Sequence, residues 1–376
     1  MATSLFSQNF HWAGVGFLGD YGKKEQLYPN SSMVFDDKSC NGISCFEVFS
    51  RNIFKDQKIM GGKVVLTQAE PGSNAIGIAL GVSYERLIVD RTPDTKYSDK
   101  NVLNNVVIFG NLLFMDLDTN KLVGSVPTYI SYHDAKSVKM SDKELQDTVK
   151  KLLITNDLKL NFVEDALARA KNYQLPSSKI LRAQVTNINL QDKAKKTLKL
   201  TNDSIDFFSM QMAQIFEGVL MSSSGIQMLP SKVGHVVGGK LKTRLASGDR
   251  TIELPSPDIS IQMSLDKLGK FKKPKKDGTG DTVCYATRMN FKAQDSFEDS
   301  IFSANLKNIP CMFVRKGTVI NDDSSYEKTI FSLLSKTGKA VANPKEHGDF
   351  YNKSAPKKIK ETKKAFLALN KILLNN

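Results

Sequence analysis

A chain of 376 residues provides for two or three domains at roughly 150 residues each, every one large enough to bury a core without metal or disulfide staples. With 40% hydrophobic and 24% charged residues the composition is globular, and no run approaches the roughly 18 apolar residues of a membrane-spanning helix, which excludes an integral helical membrane protein. Fifty-three Lys and Arg against 39 Asp and Glu give a net charge of +14, which keeps nucleic acid, anionic lipid and other polyanions open as partners.

The opening residues, Met1 to Phe6, carry no cationic region followed by an apolar stretch, so no signal peptide is read there. The chain is then cytoplasmic, or a mature form restarted with Met. Residues 9–19 read as a strand ending in a turn. Within them Gly14-Val15-Gly16-Phe17-Leu18-Gly19 matches the dinucleotide pattern, but Asp20-Tyr21-Gly22-Lys23-Lys24 is a poor helix start. That chemistry needs a helix whose amino end meets the pyrophosphate, so a glycine-rich strand and turn is the reading. Residues 44–56 place Phe46, Phe49, Ile53 and Phe54 on one helical face. Residues 63–67 form a short strand, Glu70-Pro71-Gly72-Ser73 breaks the chain, and residues 75–90 are apolar and ambiguous between helix and strand. Residues 106–117 and 122–132, β-branched and aromatic, flank the turn Asp118-Thr119-Asn120-Lys121 and predict a hairpin. Pro127 puts the returning strand at an edge or beside an irregularity. Ser141-Asp142-Lys143-Glu144 is a capping box for a helix that buries Leu145, Val149, Leu152 and Leu153. A second helix spans residues 161–173, and residues 174–178 are the candidate linker.

The second half repeats this order without a repeat at the level of sequence. Residues 180–190 are strand-like, and residues 204–221 are an apolar helix with Ile205, Phe208, Met212, Ile215, Phe216 and Val219 at helical spacing. Gly225 ends it, and residues 226–230 start a strand. Gly234-His235-Val236-Val237-Gly238-Gly239-Lys240-Leu241 falls one residue short of a phosphate loop, because Leu241 stands where a hydroxyl would hold magnesium. Residues 240–245, 251–254, 259–265, 283–291 and 312–320 are further strands, and residues 325–336 a helix. Ser264-Leu265-Asp266-Lys267 and Lys336-Thr337-Gly338 imitate two penicillin-recognising motifs, but Ser264 sits in a strand and the third motif is missing. Lys267, Lys270, Lys272, Lys273, Lys275 and Lys276 read as an exposed hairpin loop, with Phe271 its one aromatic residue. In the tail, Ser354 is a candidate cap for a basic amphipathic helix with Ile359, Phe366, Leu369 and Leu373 on its apolar face and Lys357, Lys358, Lys363 and Lys364 among its cations. Docking of that stripe on its own domain is favoured over a lipid or partner anchor. The fold class is α+β: two domains, 1–175 and 178–345, each a mostly antiparallel sheet with helices packed on one face, followed by the basic tail 346–376.

Cys40, Cys45, Cys284 and Cys311 separate into two local pairs, which fits disulfides in an oxidising compartment; four cysteines still allow three connectivities, and buried thiols remain the alternative. No Cys-x-x-Cys and no His-Glu-x-x-His occurs, and His11, His133, His235 and His347 are too scattered to pair as ligands. No catalytic, cofactor-binding or metal-binding residue is assigned, and no cofactor is expected.

The hairpin resembles a known module. Val107-Ile108-Phe109-Gly110-Asn111-Leu112-Leu113-Phe114-Met115-Asp116-Leu117-Asp118-Thr119-Asn120-Lys121-Leu122-Val123-Gly124-Ser125 is similar to the CsgG-like and TolB amino-terminal modules of bacterial envelope proteins. There a strand with a central Gly is followed by an Asp-x-x-Thr-Gly-Glu turn and a return strand. Asn120 replaces the usual Gly and Lys121 the usual acid, and the likeness covers less than a tenth of the chain. It implies small α/β sandwich domains and a non-enzymatic assembly role, with no site residue to carry over. The expectation is therefore a non-enzymatic scaffold or assembly subunit of the bacterial envelope, periplasmic or extracellular, acting through protein partners or as a homo-oligomer. Its contact sites are edge strands and the lysines Lys270, Lys272, Lys273, Lys275, Lys276, Lys357, Lys358, Lys363 and Lys364. One alternative is a cytosolic protein whose lysines bind nucleic acid or another polyanion. The other is a hydrolase with an unrecognised site.

Overall fold

The computed structural model describes residues 9–19, 21–91, 102–173, 181–224, 226–232, 236–237, 239–246, 248–317 and 320–374. The first half runs β1 (Phe10–Leu18), a 3-10 turn (Tyr21–Lys23), α1 (Lys24–Leu27), α2 (Pro29–Asp36), α3 (Cys45–Phe54), β2 (Lys58–Ile59), β3 (Gly62–Val65), β4 (Ile76–Arg91), β5 (Val102–Asp116), β6 (Leu122–Lys136), α4 (Asp142–Ile154) and α5 (Phe162–Lys171). The ambiguous stretch 75–90 is a strand. β4 lies parallel to β1 and antiparallel to β5, and it is covered on both sides, so its apolar residues show no alternation for the eye to find. The predicted hairpin is β5–β6. In its turn, Asp116 Oδ1 accepts from the backbone N–H of Asp118 and Thr119, both at 2.9 Å, and Asn120 takes φ 53°, a conformation Asn tolerates. Pro127 sits where expected, on the edge strand β6. The capping box forms: Ser141 Oγ accepts from Glu144 N, and the Glu144 carboxylate accepts from Ser141 N at 2.8 Å. Asn161 caps α5.

The second half runs β7 (Arg182–Leu190), α6 (Asp192–Thr197), α7 (Asn202–Ser224), β8 (Gln227–Leu229), β9 (Val236–Val237), β10 (Lys240–Leu245), β11 (Gly248–Glu253), β12 (Ile259–Pro274), β13 (Gly280–Asp295), β14 (Ser300–Asn308), β15 (Cys311–Arg315), α8 (Asp322–Ala342), α9 (Gly348–Ser354) and α10 (Ile359–Leu374). The linker 174–178, Gly225 and most of the glycine-rich loop 234–238 lie outside the described residues, except that Val236 and Val237 form β9.

The protein is α+β with two mixed sheets. One has the order β11-β10-β1-β4-β5-β6, with β3 on β1, β2 on β3 and β9 on β10; the other has the order β14-β13-β12-β7-β8, with β15 on β13. The two share a plan. In each, a first strand (β1, β7) pairs parallel with a long strand (β4, β12), which opens an antiparallel meander of three. Helices fill the crossover in each case, and apolar residues from both halves join in one continuous core. α7 lies where the halves meet: its Phe216 packs 6.0 Å from Phe291, while its Gln211 accepts from Arg86 of β4, which also pairs with Glu327 of α8 at 2.7 Å.

The β10–β11 hairpin leaves the second half and completes the first sheet. Gly16 makes this possible, since a Cβ there would fall 1.7 Å from Arg244 O across the β1–β10 pairing. The sheet then curls until Glu253 N of β11 donates to Asn120 O of the β5–β6 turn at 2.9 Å. The curl encloses a second, smaller core of Leu18, Ala79, Leu113, Met115, Leu122, Leu229, Leu241, Leu245 and Ile252. Among the described residues nothing comparable covers the second sheet, whose outer face carries Asn187, Asn189, Gln262, Ser264, Asn290 and Lys292 around a shallow polar depression.

Two expectations are corrected. Lys267, Lys270, Lys272 and Lys273 are not in a loop but in β12, which runs to Pro274 and pairs with β13 along its length; only residues 275–279 turn. Lysine is disfavoured in strands, yet cross-strand pairing overrides the preference here. Ser354 does not cap the last helix, because it ends α9, and α10 begins at Ile359. The docking of α10 is as read: Phe366 (0% exposed), Leu369 and Leu373 are buried, with Phe366 meeting Phe302 of β14 edge to face at 4.9 Å.

Candidate functional site

The β12–β13 hairpin outgrows its sheet. β7 pairs only as far as Leu265 and β14 only as far as Thr287, so beyond them the hairpin continues as an arm that, among the described strands, is flanked by β15 alone. From Leu268 to Pro274 that is about 20 Å of extended chain. Cys284 and Cys311 are direct register partners and are joined as a disulfide, which pins β15 to the arm. Register also sorts the faces. Phe271, Cys284 and Cys311 form one row on the outer face, followed by Lys273, Thr282 and Phe313. Both rings are exposed, Phe271 at 59% and Phe313 at 49%, and Lys275 Nζ stands 5.6 Å from the Phe313 centroid.

The inner face of the arm holds a cation-lined cleft of about 480 Å³. Val283, Val314 and Ile320 lie among its lining residues, together with Lys270, Lys272, Lys275, Arg315 and Lys316 against two carboxylates, Asp281 and Asp322. Lys272 pairs with Asp281 at 2.9 Å. Lys270 donates to both oxygens of Asp322, at 2.7 and 2.9 Å, and Tyr285 Oη donates to the same carboxylate at 2.5 Å. Burial opposes the Asp322 charge, but hydrogen bonds from Lys270 and Tyr285 and the charges of Lys270 and Lys199 outweigh it and hold the carboxyl below its ordinary range. Burial first, then the bond to Asp322, push the Tyr285 phenol up. Asp322 thus anchors the first turn of α8 to the arm.

A second cleft, of about 630 Å³, follows the edge strand β14 from Ser303 to Lys307 and is closed on its other side by residues 354–358, Glu361 and Thr362. Arg288, Lys307, Lys357 and Lys358 give it four cations against Glu361, which lies 3.6 Å from Lys358. The predicted interaction lysines therefore divide. Lys270, Lys272 and Lys275 line the arm cleft, Lys273 and Lys276 are exposed near the tip, and Lys357 and Lys358 line the β14 cleft. Lys363 and Lys364 are exposed on α10 and line neither.

Two buried carboxylates, Glu85 and Glu217, and a half-buried one, Glu47, were not singled out from sequence. Glu85 accepts from Asn30 N at 2.6 Å and Ser31 N at 2.7 Å and so caps α2 from a strand; burial raises its pKa against those donors. Glu47 accepts from Trp12 Nε1 and Val15 N at the irregularity in β1, and burial raises its pKa too. Glu217 of α7 is 1% exposed, its Oε1 has no hydrogen-bond partner among the described residues, and burial lifts its pKa well above the carboxylate range against a donor, Val185 N. Each is a lone acid in an apolar run, which is the signal that could have flagged it. Ser264 lies within β12, and Lys336, Thr337 and Gly338 within α8, so the two short motifs occupy a strand and a helix. His11 Nδ1 lies 2.8 Å from Thr67 O, and His235 is outside the described residues. Among the described residues no three His, Cys, Asp or Glu side chains cluster as metal ligands, and no helix is long and apolar enough to cross a membrane.

Cys40–Cys45 is the second disulfide and no cysteine is free. Two disulfides fit an extracytoplasmic protein. No protein-family model matches the chain, and no curated protein sequence does. Among solved structures it is similar to a minor lipoprotein from Acinetobacter baumannii, at 10% identity and TM-score 0.23, over 43% of this chain and 93% of that one. It is also similar to a neuraminyllactose-binding hemagglutinin homolog from Helicobacter pylori, at 9% identity and TM-score 0.28, over 47% of this chain and 89% of that one.

Proposed function

We propose that this chain is a non-enzymatic assembly component of the bacterial cell envelope, periplasmic or surface-associated, which holds an extended acidic segment of a partner protein along β14. The observation that carries this reading is the β14 cleft. Among the described residues β14 pairs with β13 alone, so its other edge offers alternate backbone donors and acceptors to an incoming strand. Arg288, Lys307, Lys357 and Lys358 surround that edge, and they select an acidic segment over a basic one. The disulfides support an oxidising compartment and weigh against the cytosolic polyanion-binding alternative.

A photo-crosslinking residue placed at Ser303 or Asn305 of the exported chain tests it in intact cells. Discrete protein adducts are expected at both positions, and they should vanish in the Lys357→Glu/Lys358→Glu variant. An adduct of twice the chain mass would identify a second copy as the partner. Adducts that survive the charge reversal, or that form equally from Asn187 on the open face, would sink the proposal.

A further inference from the structure

The arm has features that capture of a segment at β14 does not use. It projects beyond both neighbouring strands, and its tip carries Lys272, Lys273, Lys275, Lys276, Arg315 and Lys316, all exposed. The acids nearby are already engaged: Asp281 pairs with Lys272, and Asp277 accepts from Thr279 N at 3.1 Å and Thr279 Oγ1 at 2.7 Å within the turn. Amid these cations the outer face presents Phe271 and Phe313 on either side of the Cys284–Cys311 bridge, with Met312 42% exposed on the opposite face. Val283 and Val314 are buried nearby, so the two exposed rings are not spill-over from an unfilled core.

We infer that the disulfide-pinned arm docks on an anionic phospholipid surface. The two kinds of group on the tip want two environments a few ångströms apart. Lysine and arginine heads seek phosphates, while exposed phenyl rings gain by leaving water for the acyl boundary, and a headgroup layer supplies both at once. A free anion would satisfy the cleft lysines but leave both rings in water. An acidic protein surface would have to cup a projecting hairpin, whereas a fluid bilayer conforms to it. The staple keeps β15, and with it Phe313, Arg315 and Lys316, alongside the arm. This inference goes beyond the proposed function and does not depend on it.

Co-sedimentation of the full oxidised chain with vesicles tests it. Phosphatidylcholine vesicles with about one third phosphatidylglycerol should bind at least about tenfold more protein than phosphatidylcholine alone, and binding should fall as salt rises. Lys273→Glu/Lys275→Glu and Phe271→Ser/Phe313→Ser should each reduce partitioning by about tenfold, with melting temperatures unchanged because all four side chains are exposed. Lys357→Glu/Lys358→Glu should bind vesicles like the parent, so that failure at β14 and failure at the arm are told apart. No binding to the anionic vesicles would overturn the inference. So would binding that is lost in the lysine variant, retained in the phenylalanine variant and competed by millimolar inorganic phosphate, which would make the arm a simple anion site.

Discussion

On β5, Leu112 and Leu113 are neighbours and both are fully buried, whereas on β13 Met289 is buried and its neighbour Asn290 lies on the open face beside Asn187, Asn189 and Ser264. Successive side chains of a strand point to opposite sides, so the two pairs report on the two sheets. The first sheet is covered on one side by α3, α4 and α5, and is closed on the other by its own curl and the borrowed β10–β11 hairpin. The second is covered on one side by α7, α8 and α10 and, among the described residues, left bare on the other. One plan of strands thus gives a closed body and an open one. Both clefts with cationic walls, and the projecting arm, belong to the open one.

The largest expected effect tests that contrast directly. Leu112→Ala and Leu113→Ala should each cost about 2–5 kcal/mol, because each opens a cavity in a different core on either side of the same strand. Urea unfolding midpoints at constant slope would measure it. If Leu113→Ala costs less than about 0.5 kcal/mol, the face under the β10–β11 hairpin is not a core, and the contrast between the sheets fails.

The staples should separate the sheets next. By loop entropy alone, Cys284–Cys311, with a sequence separation of 27, is worth about 3–4 kcal/mol, and Cys40–Cys45, with a separation of 5, about 2 kcal/mol. Cys284→Ser/Cys311→Ser should therefore lower the midpoint more than Cys40→Ser/Cys45→Ser. Equal losses would mean that the arm draws little stability from its bridge.

Much of this was legible in the sequence, and the misses have physical causes. The β5–β6 turn, the Ser141 box and the stripe of α7 each depend on neighbours close in sequence, and each sits where its residues predict. β14 gives no clear strand signal in sequence although Phe302, Ala304 and Leu306 alternate inward, because Ile301 blurs the alternation and the remaining residues are Ser, Asn and Lys. Helix α2 opens Pro-Asn-Ser-Ser and draws no assignment from sequence; a carboxylate 55 positions away, Glu85, caps it. In sequence the arm reads as a lysine loop because its pairing partner lies beyond the turn, and lysine alone argues against a strand. The lysines were found but their grouping was not. Arg288, Lys307, Arg315 and Lys316 join the clefts through pairings that no local spacing encodes.

Where the halves meet, Glu217 offers a smaller effect with a sign that depends on pH. Its folded pKa is raised above the ordinary value of 4.5, by burial, against the donor Val185 N. The stability compatible with a neutral carboxyl is fully present below the unfolded value and is lost as pH rises from there toward the folded value. Glu217→Gln keeps the shape and cannot ionise. It should match the parent at pH 4 and be more stable at pH 7, by about 1 kcal/mol, the scale of one mispaired buried polar group. Equal stability of the two proteins at both values would mean that water reaches the carboxyl and that the seam between the sheets is less dry than its packing implies.

The smallest effect belongs to the bare face, and its smallness is the point. Asn290 lies opposite Ser264 on one side and Asn305 on the other, with Ser264 in turn opposite Asn189, so one polar row crosses four strands. Asn290 Nδ2 donates to Asn305 Oδ1 at 3.1 Å, a bond that water can replace. Asn290→Ala should therefore shift stability by less than about 0.5 kcal/mol. Met289→Ala, one residue earlier and on the inner face, should cost about 2–5 kcal/mol. A loss at Asn290 comparable to that at Met289 would mean that the outer face is covered in solution by a second copy or a partner. The open sheet would then be as closed as the first, and the β14 edge and the arm would cease to be the natural places for contact.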